Sequence, residues 1–242
     1  MGEVRKREVQ DWVKNEVSDK HIRTALENAS CYFDGNNPFT VHTLEAVYAR
    51  ESSFGRKMGA NKRGSNGPAG HFQFDKPTGI QYGLKITKDN DERFDIDQSS
   101  AAAAKYLKAL YGYFTRGQDL RPAKKIISAV PDIGERKKFT FAAYNAGPGT
   151  IAVSQMEAEK AGSDVTLWDK VKEFLGLANV DAKKEQEIKD YVPIVDQYEE
   201  LFDQLSPADK NKKKLSPKKD SEDNGEGCHW VTLDHGPVCI DD

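Results

Sequence analysis

One glutamate of this 242-residue chain stands where a carboxyl group is unfavourable, on the apolar face of an expected helix. Glu51 follows Val47 by four residues and Tyr48 by three, and residues at these spacings share one helix face. Removing a carboxyl group from water disfavours its charged form and raises its pKa. Glu51 is therefore a candidate general acid that stays protonated at neutral pH. The alternative is a helix-end glutamate that turns to solvent or pairs with Arg50 or Arg56.

Other side chains could bind an uncharged polar ligand beside such an acid. Gln73 lies in a glycine-flanked loop, where its amide can bond to hydroxyl or acetamido groups while the backbone comes close to the ligand. Tyr144 and Asn145 offer a ring, a hydroxyl and an amide just before a turn that ends a helix, although a lone tyrosine is more often a core residue. The five histidines are scattered, and no phosphate-binding glycine loop follows a strand. The sequence therefore predicts no metal and no cofactor.

Helices must position these residues, and most of the first 206 residues have apolar spacing typical of helices. The longer predicted helices cover Glu8–Asn28, Asn37 to about Phe54, Ser99 to about Phe114, and Glu185–Leu205. Shorter helices are expected around Ala123–Val130, Arg136–Tyr144, Thr150–Ala161 and Leu167–Leu175. The stretch Ser53–Asp97 is glycine-rich and without a sustained period, so it should hold at most short strands.

The chain changes character after the helices. Residues 207–226 contain two apolar residues among many charged ones, which predicts a disordered charged linker. Residues 228–242 alternate and turn at Asp234-His235-Gly236, which predicts a small β-hairpin tail. The expected organisation is an N-terminal helical extension over 1–36, the main domain over 37–206, the linker over 207–227 and the hairpin over 228–242.

Composition excludes several classes of protein. The 36 Lys and Arg against 39 Asp and Glu give a net charge of −3, which argues against a dedicated nucleic-acid-binding protein. No run approaches the ~18 apolar residues of a membrane span. The N-terminus is charged from Glu3 onward and lacks the apolar core of a secretory signal.

Three ordered motifs point to a family: Ala49–Phe54, Gly67–Phe74 and Ala142–Gly149. In this order they resemble the lytic transglycosylase family, whose SLT domain has a lysozyme-like fold. Further stretches agree with the resemblance: Thr78–Leu84, Glu187–Pro193, and the segments Asp91–Asp95 and Ser99–Lys108, which are similar to the branch typified by the membrane-bound D-type enzymes. The resemblance covers about residues 37–200.

This resemblance implies a mainly α fold of the α+β lysozyme-like kind, with a glycine-rich, weakly β segment at the active site. It also implies cleavage of the MurNAc-β-1,4-GlcNAc bond of peptidoglycan with 1,6-anhydro-MurNAc ends, with Glu51 acting as acid and then as base. The matching positions imply substrate binding by Ser52, Gln73, Tyr144, Asn145, Glu187 and Tyr191. For Glu187 a structural ion pair is the competing interpretation, and for Ser52 a plain helix-terminus serine.

Two stretches depart from the family pattern. Residues Gly55–Asn66 are longer and more basic than the usual linker after the glutamate. His71-Phe72 stands where a pair of an apolar residue and Met, or of Tyr and Trp, is commoner. This difference would change the contacts with the sugar.

Two alternative functions stay open: a goose-type muramidase that hydrolyses the same bond, and a non-catalytic glycan-binding or structural component of a wall-penetrating machine. The expected partners are peptidoglycan glycan strands, without nucleic acid and without a membrane span, together with a virion or envelope complex that the C-terminal tail would contact. Residues 229–240 resemble a short element of phage proteins. Since no signal peptide is seen, the expected route to the periplasmic or extracellular wall is virion delivery or phage release.

Overall fold

The computed structural model describes residues 2–14, 20–59, 61–120, 124–205, 229–233 and 236–240. Across these ranges the chain is mainly helical, as predicted. The helices are α1 Gly2–Lys14, α2 Lys20–Ser30, α3 Val41–Ser52, α4 Lys76–Gln81, α5 Ile96–Arg116, α6 Ile133–Ala146, α7 Pro148–Lys160, α8 Trp168–Val171 and α9 Ala182–Leu205. Short 3-10 helices cover Glu92–Phe94 and Lys172–Ala178. The strands form antiparallel pairs, β1 Gln118–Leu120 with β2 Lys125–Ile127 and β3 His229–Leu233 with β4 Gly236–Ile240.

The chain divides into two compact units, Met1–Ala208 and Asp209–Asp242. The predicted disordered linker over 207–227 lies outside the described residues, and the domain boundary at residue 36 stays a prediction. In the second unit Val231 lies opposite Val238, and Leu233 lies opposite Gly236. Gly236 therefore belongs to the ladder, where the sequence predicted it to be part of the turn.

Helix α3 is the centre of the first unit. It packs against α9 and α2, and α5 packs against both α2 and α6. Residues 43–49 of α3 are all buried, which is the pattern of a core helix rather than of an amphipathic surface helix. A carboxyl group in the last turn of such a helix therefore meets protein on several sides.

Two helices begin at other residues than predicted, because capping side chains fix their first turns. Thr40 precedes α3, where its hydroxyl accepts from His42 N at 3.2 Å while Thr43 Oγ1 accepts from Thr40 N at 3.0 Å. The predicted start at Asn37-Pro38 lies in the approach to the helix. Likewise Asp95 caps α5 by accepting from Gln98 N at 3.1 Å, so the serines at 99 and 100 lie inside the helix.

The helix predicted over Ala123–Val130 is wrong. Lys125–Ile127 form strand β2, and Gln118 pairs with Ile127 at the end of this small sheet. Ile126 is 55% exposed whereas Ile127 is buried, as expected for alternate sides of a strand. Three residues are too few for this alternation to be recognised in the sequence. In the predicted helix Glu8–Asn28 the structure has α1 and α2, and residues 15–19 between them are outside the described ranges.

The glycine-rich segment is organised around a buried ion pair rather than a sheet. Arg93 Nη2 lies 2.7 Å from Asp91 Oδ2, and both side chains are fully buried. Arg93 Nε also donates to Asp91 Oδ1 at 2.9 Å, and the remaining guanidinium hydrogen bonds go to the backbone carbonyls of Ser65, Gly67 and Phe74. Gly70 has φ +79, and a Cβ there would lie 1.9 Å from Arg93 O, so the loop requires glycine at this position. Isolated bridges join Ala69 to Phe74 and Ile86 to Asp91, but the expectation of at most short strands missed helix α4, which has Asp75 as its cap and Pro77 in its first turn.

Candidate active site

Glu51 lies in the last turn of α3, two residues before Ser53, which caps the helix in a left-handed conformation with φ 49. Its Oε1 accepts a hydrogen bond of 2.6 Å from the hydroxyl of Tyr191 on α9. Tyr191 is only 1% exposed, so its hydroxyl is fixed in place by packing. No second hydrogen bond joins the Glu51 carboxyl to the part of the chain that the structure describes, which leaves Oε2 for a proton.

Burial raises the pKa of Glu51 to about 7, while the hydrogen bond from Tyr191 and the nearby charges of Arg50 and Lys184 oppose the increase. Neither Arg50 nor Arg56 forms an ion pair with Glu51 in the described part of the chain. The Arg50 guanidinium lies 5.4 Å from the ring centre of Tyr191, and Arg56 pairs with Glu8 at 3.4 Å. Glu51 is therefore a partly buried acid that is about half protonated near neutrality.

Ser52 is fully buried, and both of its side-chain hydrogen bonds are local. Its hydroxyl donates to Tyr48 O at 3.2 Å and accepts from Gly55 N at 3.0 Å. The carbonyl of Ser52 accepts from Lys57 N at 2.8 Å. Ser52 thus ties the end of α3 to the loop that follows, and it presents no surface to a ligand in this conformation.

Tyr144 at the end of α6 connects the helices to the glycine-rich segment. Its hydroxyl donates to the carbonyl of Phe72 at 3.2 Å, and its ring centre is 5.2 Å from that of Tyr106. Burial, followed by the charge of Glu51, raises the pKa of Tyr144 well above its usual value, so the phenol stays neutral. Tyr144 therefore lies within electrostatic reach of Glu51.

Gln73 is half-buried in the loop that Tyr144 contacts. It has φ 50, an unfavourable value for a non-glycine residue, and its Nε2 donates to Gly70 O at 2.6 Å. Gly59 faces this amide, because a Cβ at Gly59 would lie 2.9 Å from Gln73 Oε1. The side chain is held between two stretches of the same segment, with its amide oxygen beside the residue 59 backbone.

Asn145 and Glu187 form a polar cluster with a lysine that sequence reasoning missed. Asn145 Nδ2 donates to Glu187 Oε1 at 2.9 Å, and Lys184 Nζ donates to Asn145 Oδ1 at 3.1 Å and to Glu187 Oε1 at 2.8 Å. Burial acts to raise the pKa of Glu187, but the bonds from Lys184 and Asn145 outweigh it and hold that pKa below its usual range. The i, i+3 spacing of Lys184 and Glu187 on α9 was the available signal.

His71 and Phe72, the pair that departs from the family pattern, are both buried, at 7% and 1% exposure. Burial lowers the pKa of His71, which favours its neutral form. These two side chains therefore pack beneath the loop rather than standing on its surface.

The predicted site residues thus come from four places in the chain: the end of α3, the glycine-rich segment, the end of α6, and α9. Glu51 and Tyr191 are in direct contact, and the charge of Glu187 acts to raise the pKa of Glu51. The charge of Glu51 in turn acts to raise the pKa of Tyr144, whose hydroxyl bonds to the loop that carries Gln73. Within the described ranges, no group of three or more His, Cys, Asp or Glu side chains is arranged to hold a metal ion. None of the described helices is long and apolar enough to cross a membrane.

Part of this chain is similar in sequence to known proteins. Residues 36–166, more than half of the chain, match the family described as "Transglycosylase SLT domain". A protein of Marinobacter nauticus named membrane-bound lytic murein transglycosylase F is 29% identical over 107 residues, which cover 42% of this chain and 19% of that protein. A protein of the same name from Shewanella woodyi is 28% identical over 117 residues, 48% of this chain and 20% of its own length. The chain therefore spans about a fifth of the length of these relatives.

Proposed function

The chain belongs to the transglycosylase SLT domain family, and from that membership we propose that it is a lytic transglycosylase acting on peptidoglycan. The bond cleaved is the β-1,4 bond from N-acetylmuramic acid to N-acetylglucosamine. The product is a 1,6-anhydro-N-acetylmuramic acid end, formed without water. One carboxyl group, that of Glu51, serves both chemical steps.

In the first step protonated Glu51 donates its proton to the glycosidic oxygen, and the bond from that oxygen to C1 of the muramic acid breaks. N-acetylglucosamine leaves with a hydroxyl group, and positive charge develops at C1. The substrate's own acetamido group stabilises this charge, as in substrate-assisted glycosidases.

In the second step the Glu51 carboxylate accepts the proton of the muramic acid 6-hydroxyl, and the oxygen at C6 forms a bond to C1. This closes the anhydro ring and restores protonated Glu51. A pKa of about 7 suits both roles, because neither proton transfer is then strongly uphill near neutral pH.

The other predicted residues have distinct roles in this proposal. Gln73 and Asn145 would bind sugar acetamido or hydroxyl groups through their amides. Tyr191 orients the acid, and Tyr144 holds the Gln73 loop through the carbonyl of Phe72. Ser52 fixes the chain after Glu51, since it is buried and bonded locally.

The observation that carries the proposal is the unneutralised carboxyl of Glu51, held by a neutral tyrosine hydroxyl rather than by a cation. A hydrolytic enzyme with the same acid would use a second carboxylate to activate water. Glu187 is the residue that favours this muramidase alternative, because its charge acts on Glu51 and its lowered pKa keeps it ionised. Its bonds to Lys184 and Asn145 argue for a structural ion pair instead.

Product analysis on purified sacculi tests the proposal. We expect the wild-type protein to release muropeptides with 1,6-anhydro ends, and Glu51→Gln to release roughly a thousandfold less. Products one water molecule heavier would show hydrolysis and refute the transglycosylase assignment. Sacculus binding without release by either protein would favour the non-catalytic alternative, provided that circular dichroism shows both to be folded.

Two finer assignments belong to the proposal as well. The likeness to the D-type branch rests on Asp91–Asp95 and Ser99–Lys108, whereas the relatives reported above carry the F name. The route to the wall, by a virion or by phage release, rests on the likeness of the His229–Ile240 hairpin to an element of phage proteins. Mass spectrometry of purified virions for peptides of this chain tests that route.

A further inference from the structure

The glycine-rich segment carries a local excess of positive charge. Residues 55–90 contain seven Lys and Arg against two Asp, a balance of +5 in a chain whose total charge is −3. The rest of the chain is therefore acidic. This contrast is much stronger than the near-neutral composition of the whole chain suggests.

Four of these basic residues converge on Gly64. Lys62 and Arg63 precede it in a turn closed by a 3.1 Å hydrogen bond from Ser65 N to Lys62 O. Lys76 Nζ donates to Gly64 O at 3.2 Å. Gly64 also lies against the backbone of Lys88, since an added Cβ would approach Lys88 N to 2.7 Å. We call these residues and Lys57 the basic surface: Lys57, Lys62, Arg63, Lys76 and Lys88.

The charges of this surface are largely unneutralised. Lys57, Lys62 and Lys88 are exposed, and none of them forms an ion pair with a residue in the described ranges. Arg63 lies 4.5 Å from the ring centre of Phe94 and donates to a backbone carbonyl, so it keeps its full charge. Of the nearby carboxylates, Asp91 is buried and paired with Arg93, and the exposed Asp75 and Asp89 form no ion pair with a residue in the described ranges.

Hydrogen bonds tie part of the basic surface to the candidate active site. Lys57 N donates to the carbonyl of Ser52, the residue after Glu51, at 2.8 Å. Gly70 N donates to Met58 O at 2.8 Å, and Asn61 Nδ2 donates to Pro68 O at 2.7 Å. The loop that carries Lys57 and Lys62 is thus hydrogen-bonded both to the end of α3 and to the segment that leads to Gln73. A group bound by this surface would therefore belong to a polymer that the candidate active site also holds.

We propose that the basic surface binds the free carboxylates of the peptide stems attached to the glycan strand. The proposal rests on the proposed function, because it assigns a second recognition element to the same substrate. Glycan sugars with amidated lactyl groups are neutral, so the stem carboxylates are the negative charges that a bound strand brings with it. The ammonium groups of the lysines attract such compact anions without requiring one fixed geometry.

A triple substitution tests this surface without touching the site residues. Lys57→Gln/Lys62→Gln/Lys88→Gln removes three exposed charges, and the matched control Lys6→Gln/Lys20→Gln/Lys170→Gln removes three exposed charges elsewhere. The substrates are intact sacculi and sacculi whose stem carboxylates have been converted to amides. Readouts are the initial rate of muropeptide release and co-sedimentation with the sacculi at low and high salt.

On intact sacculi we expect the triple variant to lose roughly three- to tenfold in rate at limiting substrate and in binding, while the control variant matches the wild type. On amidated sacculi wild type and triple variant should be equal, and high salt should remove the advantage of the wild type. Equal activity of both on intact sacculi, or an equal loss on both substrates, would overturn the inference. A loss that disappears when phosphate polymers are stripped from the sacculi would assign the surface to phosphate instead. Failure of the wild type on both substrates would refute the proposed function itself.

Discussion

Two of the carboxyl groups that the first unit withdraws from water have pKa values that their surroundings shift in opposite directions. Glu51, at the end of α3, meets a neutral hydroxyl from Tyr191, and burial raises its pKa to about 7. Asp91, in the glycine-rich segment, meets the guanidinium of Arg93 and the backbone N–H of Gly64. Burial acts to raise the pKa of Asp91 too, but these bonds outweigh it and lower that pKa.

The difference shows that burial does not determine the role of a carboxyl group until its partners are known. Asp91 is fully paired, so its charge is stable and fixes the loop through Arg93. Glu51 has one hydrogen bond and no ion pair within the described residues, so its charged form is disfavoured and its proton can be transferred. The paired group supports structure, and the unpaired group supplies reactivity at the expense of stability.

Disrupting the ion pair of Asp91 and Arg93 should have the largest effect on stability. Arg93→Met removes hydrogen bonds to three carbonyls and leaves Asp91 buried without its cation. We expect a loss of about 3–5 kcal/mol in the free energy of unfolding. Urea denaturation at neutral pH measures it.

The matched control is Arg116→Met, which removes an exposed arginine from the last turn of α5 and should change stability little. Asp91→Asn in the Arg93→Met background should recover part of the loss, because the unpaired buried charge is then gone. A loss below about 1 kcal/mol for Arg93→Met would contradict the role assigned to the pair.

Removing the charge of Glu51 should increase the free energy of unfolding, whereas Arg93→Met decreases it. The pKa of Glu51 is raised from 4.5 in the unfolded chain to about 7, so the folded protein binds this proton more tightly. The stability penalty is absent below pH 4, grows between pH 4.5 and 7, and is complete above pH 7. Glu51→Gln should therefore gain about 1–3 kcal/mol at pH 8 and nothing at pH 4.

Thermal unfolding of wild type and Glu51→Gln across this pH range gives the measurement. Asp91 offers the internal contrast, since a carboxyl with a lowered pKa contributes stability above its unfolded pKa of 3.8 and loses that contribution as pH falls through the folded value. A Glu51→Gln gain that does not depend on pH would mean that the carboxyl is not held protonated by its surroundings.

The sequence predicted the helices better than their ends. Apolar spacing identifies α6, α7 and α9 because each is long enough for the period to repeat. The starts of α3 and α5 depend on which polar side chain caps the helix. Thr40 and Asp95 are the caps, through hydrogen bonds from backbone N–H groups that apolar spacing does not reveal.

The sequence indicated candidate site residues but not the contacts among them. The position of Glu51 on an apolar stripe was visible locally, whereas its bond to Tyr191, 140 residues away, depends on how α3 and α9 pack. Arg93 lies inside a motif that the resemblance identified, yet its burial and its carbonyl partners arise from the fold of the whole segment. Lys184 was missed because a helix-surface lysine is usually solvated.

The smallest effect concerns the single bond that distinguishes Glu51 from a free buried acid. Tyr191→Phe removes the hydroxyl that favours the charged carboxylate, so the pKa of Glu51 should rise further above 7. The alkaline limb of the plot of kcat/KM against pH, which reports the protonated acid, should move to higher pH. At pH 6 the rate should fall roughly three- to tenfold, because the carboxyl loses one orienting hydrogen bond.

Tyr198→Phe on the same helix removes a hydroxyl bonded to Glu8 and serves as the control, with an unchanged pH profile. A Tyr191→Phe enzyme that is slower but keeps the wild-type profile would show that the tyrosine positions Glu51 without setting its proton affinity.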